Sequence, residues 1–132
     1  MQDFTVSTSS RQEISDINMQ VNEIISKSGI REGICLVYTP HSTCSIIINE
    51  NYDSDIMLDF IDAISILVPK GKWRHDKVDG NVDAHIKSAI IGPSESVIIK
   101  DGKLKLGKWQ NICLADFDGP RKRKVYVKIT EG

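Results

Sequence analysis

The sequence has few of the features that mark membrane, secreted or nucleic-acid-binding proteins. Among its 132 residues, no apolar run approaches the eighteen or so residues that a membrane helix needs. The three cysteines, Cys35, Cys44 and Cys113, are odd in number and form no CxxC pair, so we expect buried, reduced thiols. Aromatic residues make up only 6% of the chain, which leaves few platforms for stacking nucleic-acid bases.

An excess of charge of one sign is also missing. The chain carries 17 Lys and Arg against 18 Asp and Glu, a net charge of −1, whereas nucleic-acid binding normally needs a basic excess. The one basic run, 121–124, is short, and we interpret it as a solvated loop or a local anion site. Because the N-terminus has no basic stretch followed by an apolar one, we expect a cytoplasmic protein with no nucleic-acid or membrane partner.

The patterns that are present predict one domain over residues 1–132. Apolar residues make up 40%, and a chain of this length buries roughly two-thirds of its unfolded surface in a single core. Helical spacing predicts helices between Ser10 and Gly29, from Asp53 to Pro69, and over 83–91, with an irregular connection over 70–82. In the last of these helices we expect Ile86, Ala89 and Ile90 to face inward. Alternation, β-branched runs and the Asp101-Gly102 turn predict six or seven strands: 3–8, 32–39, 44–49, 96–100, 104–106, 109–117 and 124–130. This order favours an α+β sandwich in which a largely antiparallel sheet packs against about three helices.

The three histidines are the first candidates for chemistry. His41, His75 and His85 all lie outside the apolar periodicities, at element ends or in the irregular connection. Each alone fits an ordinary surface or core position, but three neutral imidazoles are also able to form an open zinc site. Their spacing matches no local metal motif, so the fold would have to assemble such a site.

Other polar groups offer alternatives that the residues alone leave open. Ser42 and Thr43 follow His41 and suit either backbone hydrogen bonding, a ligand phosphate or, with Cys44, a nucleophile beside a base. The segment 79–83 begins like a calcium loop but has Ala84 and Ile90 where Gly and Glu are required, which excludes an EF-hand. We expect Asp83 to cap the helix that follows.

A second polar group follows the third predicted strand and returns near the end of the chain. Asn49 and Glu50 fit a turn, or alternatively ligand binding and proton transfer. Gln110 lies beside a Trp that a core position also explains. Arg121, after a Gly-Pro turn, has the fork that recognises phosphate or carboxylate.

Taken together and in order, these motifs give the chain a recognisable pattern. It resembles the YjbQ family, also known as secondary thiamine-phosphate synthase enzymes, over nearly its whole length. The motifs that carry the resemblance are Pro40-His41-Ser42-Thr43-Cys44-Ser45, Ile48-Asn49-Glu50-Asn51, Arg74-His75-Asp76, Asp79-Gly80-Asn81 with Ala84-His85-Ile86, Leu106-Gly107 with Trp109-Gln110, and Asp118-Gly119-Pro120-Arg121.

The resemblance implies a compact α+β fold, a homotrimer and a weak thiamine-phosphate synthase activity that joins hydroxymethylpyrimidine diphosphate to a thiazole phosphate. It also implies a histidine pocket that holds a divalent metal ion, zinc, magnesium or manganese, with a small phosphorylated metabolite as substrate. On that basis the candidate metal ligands are His41, His75 and His85, and the candidate catalytic groups are Glu50, His41 and His75. The candidate substrate-binding residues are Ser42, Thr43, Asn49, Asn81, Lys108, Gln110 and Arg121.

Two positions depart from the family pattern. Cys44 adds a thiol where relatives commonly have small residues, and Lys108 replaces a threonine and adds a positive charge. The residues alone leave two other functions open. These are a trimeric module that binds a metal or phosphorylated metabolite without turnover, and a hydrolase in which a bound metal activates water.

Overall fold

A computed structural model describes residues 1–132 as two antiparallel sheets and three α-helices. The strands are β1 (Gln2–Ser7), β2 (Glu13–Asp16), β3 (Gly33–Tyr38), β4 (Cys44–Asn49), β5 (Ser94–Lys100), β6 (Lys103–Leu104), β7 (Asn111–Asp116) and β8 (Lys122–Glu131). The helices are α1 (Asn18–Ser28), α2 (Ser54–Leu67) and α3 (Val82–Ile91), and a 3-10 turn covers Arg74–Lys77. The five-stranded sheet has the order β1-β8-β3-β5-β6, and the three-stranded sheet has the order β2-β7-β4.

The three-stranded sheet forms the middle layer of the molecule. One of its faces meets the five-stranded sheet in the main core, with Ile46 and Leu114 packed among residues of both sheets and of α1. Its other face packs on α2 and α3, where Ala115 joins Ile64 and Ala84 in a smaller cluster. Because both faces of β4 are buried, its sequence reads as a continuous apolar run rather than an alternating one.

The predicted α+β sandwich, with its antiparallel sheets and three helices, is confirmed. Asp53 caps α2 as expected, since its carboxylate accepts a hydrogen bond from the Asp55 N–H at 2.9 Å. Asp101 and Gly102 both have positive φ values, 53° and 76°, in the tight turn that joins β5 to β6. The thiols of Cys35, Cys44 and Cys113 are free and buried, also as expected.

The first helix is where the sequence-based boundaries were wrong. The prediction began it near Ser10, but residues 13–16 form the extra strand β2, which pairs with β7. Ile14 lies in this strand, and α1 begins only after Ile17. A four-residue strand between polar segments has too short an alternation to compete with the longer helical spacing that follows it.

The buried face of α3 also differs from the prediction, which placed Ile86, Ala89 and Ile90 inward. Ala89 and Ile90 are exposed, whereas Asp83 and Lys87, one turn apart, are buried. Asp83 does not cap the helix; its carboxylate accepts hydrogen bonds from Arg11 at 2.8 Å and from Lys87 at 3.0 Å. Asp83 and Lys87 can be buried together because each charge has a partner of opposite sign.

None of the helices combines the length and the apolar character needed to span a membrane.

Candidate functional site

A polar cavity of about 330 Å³ lies where three chain segments meet at one end of the three-stranded sheet. The segments are the β3–β4 connection, the N-terminal turn of α3, and the β7–β8 connection with the start of β8. Apart from the Pro40 ring, every side chain that lines this space is polar or charged. Its lining residues are Pro40, His41, Ser42, Thr43, Asn81, His85, Asp118, Arg121 and Arg123.

A buried ion pair forms the floor of the cavity. Arg123 binds Asp116 through two bonds, Nε to Oδ2 at 3.0 Å and Nη2 to Oδ1 at 2.7 Å. The same Nη2 atom donates to Thr43 Oγ1 at 2.8 Å and to the Asp118 carbonyl at 3.2 Å. The Asp116 side chain is fully buried and that of Arg123 is 5% exposed, so this fork fixes the β7–β8 connection against the start of β4.

The ionised state of Asp116 depends on these contacts. Burial acts to raise its pKa, but hydrogen bonds from Arg123, the Asp118 N–H and the Thr8 hydroxyl outweigh burial and hold the pKa below its ordinary value. Asp116 is therefore a structural anion that neutralises Arg123. The charge of Arg123 is already paired when a ligand enters the cavity.

His41 is held in one tautomer by the main chain. The Lys124 N–H donates to His41 Nε2 at 2.8 Å, so the neutral ring carries its proton on Nδ1. Burial and the nearby Arg123 charge lower the pKa of His41, which keeps the ring neutral at pH 7. His41 therefore presents an N–H donor, and its Nε2 lone pair is already used.

Arg121 supplies the accessible positive charge of the cavity. Its guanidinium is 57% exposed; Nε donates to the Asp118 carbonyl at 2.9 Å, and Nη2 lies 3.4 Å from Asp118 Oδ2. Asp118 also accepts a bond from Asn81 Nδ2 at 2.8 Å, which ties the start of α3 to the β7–β8 connection. The Asn81 Oδ1 atom is buried with no hydrogen-bond partner.

Two hydroxyls complete the donors of this cavity. The Thr43 oxygen accepts from Arg123, which leaves its proton to donate, and Ser42 is exposed beside it. Cys44, the next residue, is fully buried, and burial raises the pKa of its thiol to about 12. A thiol with that pKa stays protonated at neutral pH, so the geometry does not favour Cys44 as a nucleophile.

The three histidines do not converge on one point. His85 lines the cavity with His41, whereas His75 lies behind His85, with the two ring centres 6.4 Å apart and nearly perpendicular. His75 is mostly exposed, and its Nε2 atom is 3.1 Å from Asp79 Oδ2. No three His, Cys, Asp or Glu side chains of the chain lie close enough to hold a metal ion. As placed here, the histidines of a single chain do not fit a three-histidine site.

The remaining predicted site residues lie at the other end of the middle sheet. Asn49 ends β4 opposite Asn111, and its Oδ1 atom accepts from the Glu50 N–H at 2.7 Å. β4 spans six residues, so roughly 17 Å separates Glu50's end of the strand from the polar cavity. Lys108 and Gln110 line a separate depression of about 460 Å³ at that end, where Gln110 Oε1 accepts from the Gly107 N–H.

The sequence reasoning missed Arg123 and Asp116 as a pair, because the basic run 121–124 was interpreted as a unit. A usable signal was present, since Arg123 shares the strand face of Val125 and Val127, which are buried. An arginine on a buried strand face requires a buried carboxylate as partner.

The sequence of this chain is similar to known proteins over nearly its whole length. Residues 2–132 match the family model described as UPF0047 protein YjbQ-like. UPF0047 protein MJ1081 of Methanocaldococcus jannaschii is 47% identical over 126 residues, covering 96% of this chain and 91% of the relative. UPF0047 protein YugU of Bacillus subtilis is 39% identical, covering 94% of each chain.

Solved structures of relatives have the same fold. A YjbQ/UPF0047-family protein from Clostridium acetobutylicum superposes with a TM-score of 0.94 at 41% identity, over 98% of this chain and all of the other. A YbjQ-like protein from Sulfolobus solfataricus gives a TM-score of 0.95 at 38% identity, over 99% and 96% of the two chains.

Proposed function

Since the chain belongs to the YjbQ-like UPF0047 family, we propose that its polar cavity binds the phosphate group of a small phosphorylated metabolite. We propose further that the protein has a weak thiamine-phosphate synthase activity. The observation that carries the first proposal is the fixed tautomer of His41. The Lys124 N–H occupies Nε2, so the ring is left as a hydrogen-bond donor in a cavity lined almost entirely by polar side chains.

The other groups of the cavity suit the same ligand. Arg121 offers an exposed guanidinium, and Ser42 and Thr43 offer hydroxyl protons. Charged and neutral donors that converge on one small space are the usual means of holding a phosphate. Arg123 is buried and paired with Asp116. Arg121 is more than half exposed and its Nη2 lies 3.4 Å from Asp118 Oδ2, so Arg121 is the cation that a ligand meets first.

The proposed reaction depends on stabilising the negative charge of the diphosphate as it leaves. The bond between the pyrimidine methylene carbon and the diphosphate oxygen breaks, and the diphosphate leaves with the electron pair. The thiazole nitrogen then forms the new bond to that carbon. Donors from His41, Thr43 and Arg121 would bind the diphosphate more tightly as its negative charge grows, which lowers the barrier.

The divalent metal ion stays a prediction, and no step here passes through it. His41 cannot bind a metal through Nε2 while that atom accepts from the Lys124 N–H, and His75 is outside the cavity lining. Within one chain, Glu50 and Gln110 are also too far away to act on a ligand held by His41. The proposed chemistry therefore depends on the cavity donors alone.

Self-association as a homotrimer and a cytoplasmic location also remain proposals. Support for self-association comes from the outer face of the five-stranded sheet, where apolar side chains are exposed: Ile34, Leu36 and Ile98. Exposed apolar patches of this kind commonly mark interfaces. A mass of one chain by light scattering would contradict the trimer.

Product analysis tests the function directly. The wild-type protein is incubated with hydroxymethylpyrimidine diphosphate and the thiazole phosphate, and thiamine phosphate and diphosphate are measured by mass spectrometry. Arg121→Met removes the accessible cation, and we expect it to lower turnover by about tenfold or more. Lys122→Met is the matched control, because Lys122 is exposed, has no ion pair and undergoes the same change of charge.

Each result supports or removes the proposal. Formation of both products, with a loss in Arg121→Met but not in Lys122→Met, supports the synthase. Diphosphate or phosphate released without thiamine phosphate identifies a hydrolase. Phosphate binding without any product identifies the non-catalytic binding module, and the absence of phosphate binding removes the cavity as a phosphate site.

A further inference from the structure

A second hollow opens directly beside the polar cavity and shares its wall. It encloses about 420 Å³ and has Pro40, His41, Ser42 and His85 in common with the first. The residues that only the second hollow has are Tyr38, Thr39, Ser88, Ala89 and Pro93. The two spaces therefore form one continuous depression that the histidines divide.

The two halves differ in chemistry. The first half is mostly polar, with the Pro40 ring as its one apolar side chain, whereas most of the surface of the second is carbon. Ala89 and Pro93 are exposed there, as is Tyr38, whose ring lies 6.4 Å from that of Tyr126 at an angle of 27°. An exposed alanine on α3 leaves room over the helix that a larger side chain would fill.

The walls of the second half are fixed by the main chain. The Thr39 N–H donates to the Pro93 carbonyl at 3.0 Å, which joins the β3–β4 connection to the start of β5. The Ser45 hydroxyl donates to the Ser88 carbonyl at 3.2 Å and holds α3 against β4. The space is thus formed before a ligand arrives, which lowers the entropic cost of binding.

We propose that this second half is a subsite for the organic part of the phosphorylated ligand, and that the part it accepts is compact, flat and apolar. The inference rests on the proposed phosphate site at His41 and Arg121, and it adds the substrate class. A phosphate held in the polar half places its ester group across His41 and His85, and the organic part then lies over Ala89 and Pro93. Sugar phosphates, whose organic part is covered with hydroxyls, would gain little from this surface.

Three simple probes separate the two halves: inorganic phosphate, glycerol phosphate and phenyl phosphate. Their dissociation constants are measured by calorimetry on the full chain at equal ionic strength. We expect phenyl phosphate to bind about tenfold more tightly than the other two, the gain from removing roughly 60 Å² of carbon surface from water. Ala89→Phe fills the subsite and should abolish that advantage while it leaves the affinity for inorganic phosphate unchanged.

Ala63→Phe is the matched control, because Ala63 is also an exposed helical alanine but lies on α2. We expect it to retain the full preference for phenyl phosphate. Equal affinity for all three probes would overturn the subsite, as would a preference that survives Ala89→Phe. If none of the probes binds, the proposed phosphate site itself fails, which is a different result from the loss of the preference alone.

Discussion

Removal of the Arg123 side chain should destabilise this protein more than a surface substitution could. The Arg123→Met variant deletes two bonds to Asp116, one to Thr43 and one to the Asp118 carbonyl. It also leaves Asp116, which is fully buried, as an anion without a counter-ion. Breaking a buried ion pair from one side costs about 3–5 kcal/mol.

That loss is large compared with the total stability expected of a domain of this size, about 5–15 kcal/mol. The measurement is urea unfolding followed by circular dichroism at pH 7, with the free energy of unfolding extrapolated to water. Lys122→Met, one residue earlier on the same strand and exposed, should change the free energy of unfolding by less than about 0.5 kcal/mol.

The double variant Arg123→Met/Asp116→Asn distinguishes an uncompensated charge from lost packing. We expect it to be more stable than Arg123→Met alone, because it removes the buried anion as well. If Arg123→Met lowers the free energy of unfolding by no more than Lys122→Met does, the buried pair does not hold the cavity floor, and the reasoning fails.

Two predictions concern pH. The pKa of Asp116 is lowered in the folded state, so its stabilising effect is present above the unfolded value, about 3.9, and is lost as the pH falls through the folded value. Urea unfolding at several pH values should show that the free energy of unfolding of the wild type falls at acid pH. The fall should be smaller in the Asp116→Asn/Arg123→Met variant. The pKa of His41 is also lowered, so the unfolded chain binds the proton first, and stability should begin to fall as the pH drops below about 6.5. His41→Gln, whose amide oxygen is also able to accept from the Lys124 N–H, should lack that fall, and a pH profile identical to the wild type would contradict the lowered pKa of His41.

The sequence predicts the helices and strands of this fold better than it predicts which side of each one is buried. β4 was found from its β-branched block, and α2 from its cap at Asp53 and its stop at Pro69, because these signals are local. The strand β2 was missed because its pairing with β7 joins residues about a hundred positions apart, and no local pattern records that contact. The predicted inward face of α3 was wrong because Asp83 was interpreted as a helix cap, although its i, i+4 spacing from Lys87 also fits a buried pair.

The candidate site was only partly predictable for the same reason. His41, Ser42, Thr43, Asn81, His85 and Arg121 were selected from residue type together with the family resemblance, and the structure brings all six to one cavity. The state of His41 depends on the Lys124 N–H, which lies 83 positions away in the chain. A tautomer fixed by a distant backbone group has no signature in a residue pattern, and yet it changes the imidazole from a metal ligand to a donor.

The middle sheet explains why the other predicted residues do not join that cavity. β4 and β7 run antiparallel, with Cys44 opposite Asp116 at one end and Asn49 opposite Asn111 at the other. Both faces of this sheet are buried, so it cannot bend to bring its ends together without breaking two packed layers. A ligand held by His41 and Arg121 therefore stays roughly 17 Å from the end of the sheet that carries Glu50 of the same chain. A role for Glu50 in the same reaction would need Glu50 from a second copy, and the exposed apolar face of the five-stranded sheet offers such a copy a surface to bind.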